Sequence, residues 1–260
     1  MEGLEESFKA IVEVLIVEIL FFLVAWYLQS IDASNYGWTS KTFMMILGIA
    51  GVIIHKRPRE YGLIPKNLKF DLKWSAYTLI IFILTSISTI TVSFFLNHLR
   101  PIKLNVIITD FLWFFIFVGF AEELFFRGYI QSRLNEVFDR RFESFLWVRF
   151  EWMEGTLITG VIFFGLPHIL TAINPFKGRI ILTPLIFLIT ISACFMGVVL
   201  GVIRERSGDI LLPTVIHGAI DFMTFGVGRL IGLALSNITT GIALFLFFLL
   251  IFEGMLKDEA

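Results

Sequence analysis

Cysteine, histidine and charge are all scarce in this chain. One cysteine, Cys194, among 260 residues excludes an internal disulfide and a zinc thiolate cluster. Within its apolar run it reads as a small buried hydrophobe. Charged residues are 17% of the chain and the net charge is −1. A soluble domain carries about a quarter charged residues, and a nucleic-acid surface needs an excess of positive charge. The first six residues are acidic and lack the basic n-region and small-residue cleavage site of a signal peptide, so the first apolar run is expected to stay as a membrane helix. No internal repeat or low-complexity linker is evident, and one membrane domain over 1–260 is expected.

What the chain has in quantity is apolar surface. It is 57% hydrophobic with 30 Phe, and its mean hydropathy is +0.85. This is the composition of an integral, multi-pass, all-α membrane protein. A span needs about 20 mostly apolar residues, and eight stretches qualify: 8–29, 42–56, 73–96, 106–130, 155–173, 180–203, 209–227 and 230–253. Basic residues cluster after the second span (Lys56, Arg57, Arg59, Lys66, Lys69, Lys73), the fourth (Arg133, Arg140, Arg141, Arg149) and the sixth (Arg204, Arg206), while the alternate loops are poorer. The bias places those loops and both termini in the cytoplasm. The segment 131–153 alternates aromatics loosely with charges and is expected to be an interfacial amphipathic helix, either a plain anchor or a guide for a lipid-bearing substrate.

Against this apolar background two adjacent carboxylates stand out, Glu122 and Glu123, with Arg127 one turn later. A charged side chain at mid-bilayer costs about 2.5–3.5 kcal/mol on insertion scales, and ionisable groups there mark functional sites by default. Residues four apart share a helix face, so Glu123 can pair with Arg127. Glu122 points about 100° away and is left to face a cavity, although a local distortion would reverse the two. Of four histidines, His55 and His98 sit at span edges. His168 shares a face with Phe164, and His217 shares one with Asp221. A rise of about 1.5 Å per residue puts His168 about 20 Å, and His217 with Asp221 about 12–18 Å, from the cytoplasmic ends of their helices. Glu122, His168, His217 and Asp221 are therefore expected around one cytoplasm-facing cavity. The structural alternatives are a buried ion pair bracing helices and an interhelical hydrogen bond.

There is no Gly-x-Ser-x-Gly elbow, no His-Glu-x-x-His zinc motif, and no motif that calls for a cofactor. A carboxylate beside imidazoles fits direct activation of water: Glu122 accepts a proton, His168 orients the water, and His217 donates to the developing oxyanion with Asp221 fixing its tautomer.

Glu122-Glu123-Leu-Phe-Phe-Arg127, Phe164-x-x-x-His168 and His217-x-x-x-Asp221, in that order, resemble the signature of the CAAX protease and bacteriocin-processing family, which includes the type II CAAX prenyl endopeptidases. Arg59-Glu-Tyr-Gly-Leu63 looks like the family too. The resemblance implies a metal-independent glutamic intramembrane protease with an eight-helix core. It implies that Glu122 is the general base, that His168 helps activate water, and that His217 with residue 221 forms the oxyanion hole. The substrate would be a prenylated CAAX-type peptide embedded in membrane lipid, losing its last three residues. The prenyl-protease branch often has Asn where this chain has Asp221, and Asp donates a hydrogen bond only when protonated. Two other readings use the same residues. Glu122, His168 and His217 would make a two-His, one-carboxylate zinc site. A proton-coupled transporter would add Glu13 and Glu18 to a relay.

Overall fold

The computed structural model describes residues 2–32, 34 and 36–258. Among them are eight helices long and apolar enough to span a membrane: α1 (Gly3–Ile31), α2 (Trp38–His55), α3 (Leu68–Phe95), α4 (Leu104–Asn135), α5 (Glu154–Ala172), α6 (Pro184–Ser207), α7 (Leu211–Ile231) and α8 (Leu233–Lys257). The chain is an all-α polytopic membrane protein. Helix ends follow local chemistry. The Asn67 side chain accepts from the Phe70 N–H to start α3, and Pro184 occupies the first turn of α6, where a missing N–H costs least. Gly208 stops α6 in the left-handed region at φ 82°, which glycine adopts without a Cβ clash.

Residues 131–153 do not form the expected helix. α4 runs on to Asn135, and the rest is an antiparallel hairpin of β1 (Arg141–Phe145) and β2 (Val148–Met153). The aromatic–charge alternation is the period of two of a strand, which puts successive side chains on opposite faces. Phe145 and Trp152 are buried, the Phe142 and Trp152 rings lie 4.7 Å apart, and Trp152 Nε1 donates to the Ser144 carbonyl at 2.8 Å. A second, minimal hairpin pairs β3 (Ile173–Asn174) with β4 (Arg179–Ile180).

The helices fall into two compact units. The first holds α1, α2, α4 from Ala121 onward, the β1–β2 hairpin, α5 and α6. Ala10, Val14, Phe21 and Ala25 make one buried face of α1 and pack in a core with Met44 and Val52 of α2 and Phe125 and Tyr129 of α4. Close approach depends on missing side chains. A Cβ at Gly51 would stand 2.3 Å from the Tyr129 ring, one at Gly160 of α5 2.5 Å from the Val198 backbone, and one at Gly165 2.4 Å from Cys194. Such small-residue seams hold membrane helices together where no hydrophobic drive separates helix from lipid. Cys194 lies in this seam but is half-buried rather than buried. The connection between α2 and α3 is tied down as well. Tyr61 is buried and donates to Glu136 at 3.1 Å, Gly62 accepts from the Ile210 N–H at 3.0 Å, and Arg204 donates to the Glu60 carbonyl.

The second unit holds α3, α4 up to Phe120, α7 and α8. Its core gathers Phe82, Ala219, Met223 and Ala243. A Cβ at Gly218 of α7 would meet the Phe115 carbonyl at 2.2 Å, so α4 and α7 touch backbone to backbone. Hydroxyls add polar contacts between helices: Thr239 donates to Thr89 at 3.1 Å and Ser236 to the Thr224 carbonyl at 2.8 Å.

Candidate active site

The two adjacent glutamates have different surroundings. Glu123 and Arg127 are both 0% exposed and pair at 3.0 Å. Arg127 also donates to the Gly197 carbonyl at 3.2 Å, and its guanidinium lies 4.0 Å from the centre of the Phe164 ring. A buried arginine needs this density of partners, because taking its charge out of water costs several kcal/mol, on the order of the pairing it gains. The i,i+4 arrangement is the one the sequence implied. It holds even though α4 is wound as a π-helix over Glu123–Gln131, a form that concentrates at functional sites.

Glu122 lines a cavity of about 250 Å³ in the first unit, together with Phe126, Phe164 and His168. Its carboxylate is in direct contact with the ammonium of Lys41, the side chains being 14% and 19% exposed. His168 reaches the same cavity from α5. Its Nδ1 lies 2.8 Å from the Phe164 carbonyl oxygen, and its ring stacks edge-on with Phe164 at 5.0 Å. A carbonyl only accepts, so Nδ1 carries the hydrogen and Nε2 of the neutral ring is an acceptor. Phe164 thus joins the two groups: its ring covers Arg127 and its backbone orients His168.

His217 and Asp221 belong to the second unit, one turn apart on α7. Nε2 of His217 is 3.7 Å from Oδ2 of Asp221, an ion-pair distance longer than a hydrogen bond. His217 is buried. Of the residues named for a zinc site, Glu122 and His168 line the cavity, and Lys41 already sits on the carboxylate.

Sequence reasoning missed two cations of this cavity, Lys41 and Arg179. In the sequence Lys41 stands at the edge of the second span as one basic residue of a charge-poor loop. It meets Glu122 across 81 positions of sequence, and no periodicity signals that. His55, the last residue of α2, joins Glu13 at 2.8 Å. Tyr129 and Arg133 also bind Glu13, at 2.8 and 2.9 Å. Glu18 is buried in α1.

The cavity is walled by the C-terminal part of α1 (Ala25, Trp26, Gln29), the first turns of α2 (Ser40, Lys41, Met44) and the end of α5 (Thr171). The basic groups Lys56, Arg57 and Arg140 lie beyond the opposite ends of helices in this unit, and Arg133 lies in the last turn at such an end. If those loops are cytoplasmic, the mouth faces the other side. The expectations of cytoplasmic basic loops and a cytoplasm-facing cavity therefore cannot both hold. His168 does lie about 20 Å from the start of α5, but α5 ends four residues later, so that depth is past the helix midpoint.

Residues 104–223 match the family model described as type II CAAX prenyl endopeptidase, Rce1-like, the family that the three motifs resemble. The match takes in both glutamates, Arg127, Phe164, His168, His217 and Asp221. No curated protein and no solved structure matches the chain.

Proposed function

We propose that this chain, with a central segment of the prenyl-endopeptidase type, is an intramembrane protease that cleaves a lipidated peptide near its C-terminus. The observation that carries the reading is the division between the glutamates. Glu123 is committed to Arg127 inside the protein, whereas Glu122 shares a cavity with His168. In the proposed reaction a water molecule hydrogen-bonds to Nε2 of His168 and gives a proton to Glu122 as its oxygen attacks the peptide carbonyl carbon. A donor to the resulting oxyanion is the role that the family resemblance implies for His217, with Asp221 beside it. The C–N bond then breaks, and the proton on Glu122 passes to the departing amine. Side chains supply every step of this scheme, so activity should survive chelators.

A cavity of about 250 Å³ is smaller than the ~300–1,000 Å³ of most small-molecule sites. It suits a short stretch of peptide, with a prenyl chain left in the surrounding lipid. The proposed substrate is a prenylated CAAX-type peptide that loses its last three residues. Glu122→Gln and His168→Ala should each lower cleavage of such a peptide by about 10²–10⁴-fold, the usual range for an acid–base group, without loss of fold. Full activity in purified Glu122→Gln would overturn the assignment.

A prenylated cytoplasmic substrate requires the cavity mouth in the cytoplasm, whereas the charge bias places the termini and basic loops there. Cysteines introduced singly at Lys177 and at Arg141, in a Cys194→Ser background, separate the two. Labelling of position 177 from the cytoplasm supports the prenylated substrate. Labelling of position 141 from the cytoplasm supports the charge bias and cytoplasmic termini, and would direct the search to peptides anchored on the other face.

A further inference from the structure

The cavity is lined by two cations, Lys41 and Arg179, but among its lining residues the only carboxylate is Glu122. Lys41 is engaged with that carboxylate. Arg179 differs: among the described residues no carboxylate pairs with it, and one Nη donates to the Thr171 carbonyl at 3.0 Å. That leaves most of the guanidinium's five donors uncommitted.

Arg179 is also held in place by a small structure of its own. The β3–β4 ladder pairs Asn174 with Arg179. The Asn174 side chain caps the turn by accepting from the Lys177 N–H at 3.1 Å, and it donates to the Trp26 carbonyl at 3.1 Å. The turn is thus clipped to α1 at a residue that itself lines the cavity. Arg179 is exposed, but the ladder sets its backbone, and its planar fork matches a carboxylate with two parallel bonds.

We infer that Arg179 is a specificity-determining residue that binds the free α-carboxylate at the C-terminus of the substrate, and so sets how few residues follow the cleaved bond. This deepens the protease reading and rests on it. Three extended residues reach at most about 10 Å, the span that the released tail would have to cover between the cleaved bond and Arg179. Lys41, already neutralised, keeps the water-activating carboxylate apart from the incoming anion.

The test uses three prenylated peptides of one sequence: free acid, C-terminal amide, and acid extended by three residues. Wild type should prefer the free acid over the amide by about tenfold or more in kcat/KM. The difference should lie mainly in KM, and the extended acid should be poor. Arg179→Gln should lower the acid rate and leave the amide rate near wild type, and Arg179→Lys should restore part of the preference. Equal wild-type rates on acid and amide, or an equal loss on both in Arg179→Gln, would refute the inference. Affinities of acid and amide for wild type and Arg179→Gln, read by fluorescence anisotropy in detergent, test the carboxylate site without cleavage. If wild type cleaves none of the peptides yet binds the acid better in an Arg179-dependent way, the protease reading fails and the anion site stands. If the variant leaves the acid affinity unchanged, the anion site fails.

Discussion

Removing Arg127 should be among the most damaging single changes in the first unit. Both members of its pair are fully buried, so Arg127→Met leaves a carboxylate in the interior without its partner. Breaking a buried pair from one side costs about 3–5 kcal/mol, a shift of roughly 10²- to 10³·⁶-fold in the folding equilibrium. The Phe164 ring also loses its cation, worth about 2 kcal/mol when desolvated, but the two losses share one guanidinium and do not simply add. The double variant Glu123→Leu/Arg127→Met removes both charges, and apolar replacement of a whole buried pair is often neutral. It should regain most of the loss. Unfolding in mixed micelles titrated with SDS, run on wild type, both single variants and the double, gives the cycle. A loss below ~0.5 kcal/mol for Arg127→Met, or a double variant as unstable as the worse single, would show that this pair is not what holds α4 against α6.

Three further outcomes are expected. Gly160→Ala should cost about 1–3 kcal/mol, the usual penalty for overpacking, because its Cβ would meet the Val198 backbone at 2.5 Å; peptide cleavage should fall with it as α5 moves away from α6 and takes His168 along. Lys41→Gln and Glu122→Gln should couple by about 1–2 kcal/mol in the same unfolding assay, since a charged hydrogen bond that is partly screened is broken in both; strict additivity would refute their pairing. Burial first, and the Glu136 carboxylate second, push the Tyr61 phenol well above its ordinary value. The phenol therefore stays protonated in the fold while the unfolded chain loses its proton near pH ~10. Its stability contribution is complete below that pH and drains away above it, so Tyr61→Phe should flatten the alkaline loss in a stability profile from pH 8 to 11.

The membrane class, the eight spans and the split between Glu122 and Glu123 were all present in the sequence itself. Each depends on spacing along one helix or on the cost of polarity in lipid, and such local terms are written in residue order. The hairpin at 141–153 could have been read from its period of two, which was mistaken for the face of a helix. Lys41 against Glu122, the grip of Phe164 on both Arg127 and His168, and the clip that holds Arg179 at the rim were decided only by the tertiary structure. They join residues far apart in the chain, across glycine seams whose closeness no side-chain pattern announces. Which end of the helices carries the cavity was settled in the same way, because depth depends on where each helix starts and stops and on how its neighbours are staggered.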